Sequence, residues 1–159
     1  MGIGPSTKET SLHHFRDPLL DVVTEDTDLD CMGVMLIGSP DGNEDKMLVG
    51  TRAAVAAECM RADGVILSCD GWGNSHVDYT NTIEQIGIRG IPVTGITFNG
   101  TVAQFVVVNE YLDAIVDINK SESGEETDVV GENNMTRVDC LKAKALLKLK
   151  MRKKDAEAR

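Results

Sequence analysis

A chain of 159 residues with 42% hydrophobic and 26% charged side chains is long enough for one domain with one core, and its even composition excludes a disordered or fibrous protein. The net charge of -10, from 26 acidic against 16 basic side chains, sets the surface against nucleic-acid phosphates. No apolar run approaches the roughly 18 residues of a membrane span, and no charged-then-apolar leader opens the chain, so a cytoplasmic protein without nucleic-acid or membrane partners is expected.

Residues 1–12, MGIGPSTKETSL, have no apolar face and read as a flexible amino-terminal arm. Residues 13–154 read as one α/β domain, with 155–159 as a tail. Three apolar runs of strand length follow HHFRDPLLDVV: Cys31 to Gly38, Gly64 to Cys69 and Ile91 to Phe98. Their apolarity is continuous rather than alternating, which predicts strands covered on both faces in a mainly parallel sheet.

Between the first two runs, Asn43 to Ala62 places Met47, Leu48, Ala54, Val55 and Met60 at helical spacing, with Asp63-Gly64 as the stop. Between the second and third, Tyr79 to Ile88 predicts a shorter helix closed by Arg89-Gly90. Two βαβ units in succession predict a three-layer, open α/β sheet of flavodoxin- or Rossmann-like topology. Thr101 to Asn119 suits a buried strand or a helix, and helix is the favoured reading. Ser121 to Asn134 is an acidic, turn-rich connection. Thr136 with Asp139 predicts a helix start, and the run KAKALLKLKMRKK predicts an amphipathic last helix whose positive end complements the helix dipole.

In such sheets ligands sit at the carboxy ends of strands. The second strand runs into a loop from Ser68 to Asp78 that holds Cys69, Asp70, Trp72, Asn74, His76 and Asp78, and glycines flank the lone tryptophan. Cys69 beside His76 is the candidate nucleophilic thiol, against the alternative of a small buried apolar residue. His76 serves as a general base or a loop-ordering hydrogen bonder, and Asp70 and Asp78 serve the site or cap the next helix. Asn99 and Thr101, after the third strand, face the same crevice. Cys31, Cys59, Cys69 and Cys140 lack metal-ligand or CxxC spacing, so neither a metal site nor a disulfide framework is expected. No GxGxxG follows the first strand, which argues against NAD, and there is no GxxxxGK[ST] or GxSxG.

The stretches HHFRDPLL, MGVMLIGSPDGNEDK, ADGVILSCDGWGNSHVDYTNTIEQIGIRGIPVTGITF, NEYLDAIVDINKSESGEE and NNMTRVDCLKAKALLKLKM together resemble the carboxy-terminal, pyruvoyl-bearing chain of the D-proline reductase family. More distantly they are similar to component B of glycine, sarcosine and betaine reductases. The resemblance covers about residues 11–152, and WGNSHVDYTNTIEQIGIRGIPV is its most specific part. It implies reductive ring cleavage of D-proline to 5-aminovalerate with a dithiol donor, a small amino-acid substrate, and partners that include a selenocysteine subunit. In the family a cysteine becomes an amino-terminal pyruvoyl group; here Lys8-Glu9-Thr10-Ser11-Leu12 stands in that place, which makes Ser11 the candidate processing position and His13, His14 and Arg16 its neighbours. A non-catalytic paralogue or assembly subunit is the alternative that the missing cysteine favours. A flavodoxin-like small-molecule binder is the third reading, to be recognised by its yellow colour.

Overall fold

The computed structural model describes residues 18–69, 74–97, 105–118 and 135–158. Strand β1 (Val65–Cys69) pairs in parallel with β2 (Val93–Thr97), and β2 pairs in parallel with β3 (Ile115–Asp117). The register sets Cys69 opposite Thr97 and Thr97 opposite Asp117. β2 is buried along its whole length, which suits the continuous apolarity of that run. The three strands follow chain order, so the reversal of order that marks a flavodoxin- or Rossmann-like sheet is not present among the described strands.

Helices lie against both faces. On one, Val65, Leu67, Cys69, Val93 and Ile115 meet Tyr79, Ile83 and Ile86 of helix α3 (Asn74–Gly87), with Ala54 and Ala57 of α2 (Asn43–Cys59) in the same core. On the other, Ile66, Ile96, Val116 and Ile118 meet Ala143 and Leu146 of α4 (Arg137–Glu157) and Leu19 of the short α1 (Pro18–Thr24). The period-two alternation of the strands sends each run to two cores at once.

Helix α4 begins as its sequence predicts: the Thr136 backbone N–H donates to Asp139 Oδ2 at 2.8 Å. Three of its lysines are tied down by the fold. Lys144 and Lys148 reach Asp26 at 2.7 and 3.0 Å, Lys148 also reaches Asp28 at 2.8 Å, and Lys150 reaches Asp113 at 2.6 Å. The contacts to Asp26 and Asp28 bind the turn after α1 to the last helix, and that to Asp113 binds the segment before β3.

Four expectations need correction. Cys31 to Gly38 forms no strand; it runs without regular structure, and Val34 and Leu36 are 67% and 70% exposed. The described part of Thr101 to Asn119 is not helical. Asn109 Oδ1 accepts the Tyr111 N–H at 3.0 Å, a side-chain turn that competes with helix, and the β-branched Ile115 and Val116 then join the sheet. Helix α3 starts at Asn74, so His76 and Asp78 are helical rather than in a loop. Helix α2 starts at Asn43 as anticipated but ends at Cys59 rather than Ala62, and it buries Lys46, Gly50, Ala53, Ala54 and Ala57, leaving Met47, Leu48, Val55 and Met60 exposed. A small-residue stripe lets α2 approach α3 closely: a Cβ on Gly50 would overlap Asn81.

Candidate functional site

The candidate site lies at the carboxy ends of β1 and β2. Cys69 closes β1 and is partly buried; Thr97 closes β2, opposite it and fully buried. Neighbouring strands lie about 4.8 Å apart, so these two side chains are adjacent on the α3 side of the sheet. From the first turns of α3, His76 brings Nε2 within 3.1 Å of the Thr97 hydroxyl. The imidazole is 3% exposed and meets Phe105 edge-on at 5.0 Å between ring centroids. Thr80 fixes the same turn by donating to the His76 carbonyl at 2.8 Å.

Tyr79, one turn along α3, stacks on Phe105 at 6.1 Å. Its hydroxyl lies over Gly95, where any Cβ would overlap it, and has no hydrogen-bond partner among the described residues. Burial, and then the nearby Cys69, push its phenol well above the ordinary tyrosine range. The phenol therefore stays protonated beside the thiol. A thiol at a strand end, an imidazole held by a hydroxyl on the next strand, and a neutral phenol form an arrangement suited to thiol chemistry.

A second polar cluster joins α2 to α3. Lys46 is 1% exposed and donates to Asp78 Oδ2 at 2.9 Å, and the Ser39 hydroxyl donates to the same oxygen. Asp78 Oδ1 has no partner among the described residues. Asp78 thus ties the 31–40 segment to the body of the fold.

Of the residues singled out from sequence, Cys69 and His76 come together through Thr97, and Asp78 lies in the adjoining cluster. Asn74 opens α3. Asp70, Trp72, Asn99, Thr101, Ser11, His13, His14 and Arg16 lie outside the described residues. Sequence reading missed Thr97, Tyr79, Phe105, Lys46 and Ser39. Lys46 left a trace, as a lone cation on the small-residue stripe of α2; Tyr79 left a weaker one, as an aromatic one turn after His76. Among the described residues no group of three or more His, Cys, Asp or Glu side chains is arranged to hold a metal, and all four cysteines lie outside any disulfide. No helix among them is long and apolar enough to cross a membrane.

The family model for glycine/sarcosine/betaine reductase component B subunits matches residues 2–146. The chain is 40% identical over 146 residues to the D-proline reductase proprotein PrdA of Acetoanaerobium sticklandii, a match that covers 92% of this chain and 23% of that protein. It thus spans about a quarter of the length of the curated relative that it matches. No solved structure matches it.

Proposed function

The chain belongs to the family of glycine, sarcosine and betaine reductase component B subunits, and from that premise we propose that it is a working subunit of a cytoplasmic D-proline reductase system. The observation that carries this reading is the 40% identity to a D-proline reductase proprotein along 92% of the chain. Opening the D-proline ring to 5-aminovalerate breaks the bond between the α-carbon and nitrogen. It takes up two electrons and two protons, which a dithiol supplies as it becomes a disulfide.

In this reading Cys69 is the thiol that meets substrate or electron donor, and His76, oriented by Thr97, accepts and returns its proton. Tyr79 stays neutral and keeps the thiol's surroundings apolar. Asp70 and Asn74, which follow Cys69 in the sequence, are proposed to act with it, and Trp72, Asp78, Asn99, Thr101, His13, His14 and Arg16 are the proposed pocket residues. Processing before Ser11 would create a pyruvoyl carbonyl able to take the substrate amine and act as an electron sink. Its signature is a mass short by residues 1–10 with hydrazine or borohydride labelling; an intact mass without labelling removes it.

The test of the reading is reconstitution. Reductase assembled with the other subunits, the selenocysteine subunit among them, forms 5-aminovalerate from D-proline faster with this chain than without it. Equal rates overturn the proposal.

One observation favours a second reading, a non-catalytic assembly subunit. His76, Tyr79 and Thr97 are all within a few per cent of complete burial. The two described depressions lie elsewhere, one beside Asp117 and Lys142 and one beside Ser39 and Arg52. Under that reading Cys69→Ser leaves both complex formation and 5-aminovalerate yield unchanged.

A further inference from the structure

Cys31 to Gly38 has the composition of a strand covered on both faces, yet most of its side chains are exposed, with Cys31 and Ile37 only partly buried. Met32, Val34, Met35 and Leu36 are 54%, 67%, 44% and 70% exposed. Between residues 30 and 41 no backbone group makes a backbone hydrogen bond among the described residues. A row of N–H and C=O groups with no backbone partner among the described residues, flanked by apolar side chains and interrupted only at Gly33 with its φ of 145°, offers a template for another strand. The segment is also held in place: Ser39 is tied to Asp78, which is tied to the buried Lys46.

The apolar surface continues onto α2. Gly38, Ser39 and Pro40 share a shallow depression of about 460 Å³ with Leu48 and Val49, and Leu48 is 47% exposed. The exposed apolar side chains thus run across two elements, with Asp45 and Arg52 at the margin of the depression, and such surfaces serve as interaction sites in other proteins.

We propose that residues 31–37 are the docking edge for a β-strand of a separate, larger reductase chain, one whose strand is flanked by lysine or arginine. This rests on the reading of the chain as a reductase subunit. Two observations choose the occupant. A relative 40% identical to this chain carries more than three quarters of its length outside the matched region, so this fold exists there beside much further polypeptide. The edge is also bracketed by exposed acids, Asp30 before it and Asp41, Glu44 and Asp45 after it. Two copies paired in either direction would set acid against acid, whereas a basic-flanked strand neutralises both ends.

The experiment is hydrogen–deuterium exchange on the full chain, alone and bound to the purified D-proline reductase of the same cell, with Val34→Glu and Leu36→Glu in parallel. Alone, amides 31–37 exchange as open backbone. In the complex they slow by about tenfold or more. Each substitution weakens association about tenfold or more while the thermal midpoint stays unchanged, because both side chains face water in the free fold. Slow exchange in the isolated monomer would show that the chain covers this edge itself, and slow exchange at dimer mass would assign it to a second copy; either overturns the proposal. If wild-type chain binds the reductase but these amides stay fast and both variants bind normally, the docking edge is wrong and the subunit reading stands. If wild-type chain does not bind, the subunit reading itself fails.

Discussion

The imidazole of His76 and the hydroxyl of Thr97 meet at 3.1 Å across the carboxy end of the sheet, joining α3 to β2 directly beside Cys69. Both groups are buried, so the hydrogen bond has no water to replace it. Thr97→Val keeps the shape and removes the partner. It should lower unfolding stability by about 1–3 kcal/mol, measured by urea denaturation with an unchanged slope.

The Lys46–Asp78 pair makes a larger claim. Lys46 is 1% exposed and Asp78 7%, so removing one partner strands a charge in the interior. Lys46→Met should cost about 3–5 kcal/mol, and Lys46→Met with Asp78→Leu should cost less than Lys46→Met alone. Additive losses in that double-mutant cycle would show that the two residues act independently.

Tyr79 gives a prediction of opposite sign. Its hydroxyl is buried without a partner among the described residues. Tyr79→Phe should therefore leave stability unchanged or raise it by about 1 kcal/mol, whereas Gly95→Ala, which drives a methyl into that hydroxyl and Ile115, should lower it by about 1–3 kcal/mol. Thermal melts of the two variants check both.

Asp26 governs the acid limb of the stability profile. Hydrogen bonds from Lys144 and then Lys148 hold its carboxyl well below the usual carboxylate range. A depressed folded pKa contributes stability that is present above the unfolded value, near 3.8, and is lost as pH falls below it. Urea midpoints of wild type should exceed those of Asp26→Asn at neutral pH, and the two curves should converge as pH drops below about 4.

These contacts also show what the sequence discloses. β1, β2 and the Thr136–Asp139 start of α4 were legible because each depends on local pattern: a short apolar run bounded by turn residues, or a cap three residues from its partner. The 31–38 run was misread for a physical reason. Apolar runs also occur at surfaces, and this one has no ladder partner among the described residues. Over the described residues 105–118 the helix reading failed because the contact of Asn109 with the Tyr111 amide is a side-chain turn that hydrophobic spacing does not register. At the candidate site, the sequence placed Cys69 at a strand end as it is found, whereas His76, expected in the following loop, lies in α3. Thr97 and Phe105 were not legible, since their proximity comes from strand register and from a chain return 21 and 29 residues after His76.

The central proposal is that this chain works in D-proline reduction through the thiol at the end of β1. It is tested most directly by the rate of 5-aminovalerate formation in reductase reconstituted with wild-type chain or with Cys69→Ser. The account predicts a fall of about a hundredfold or more with the variant, from loss of a nucleophile, with complex formation intact. Equal rates in an intact complex would contradict it.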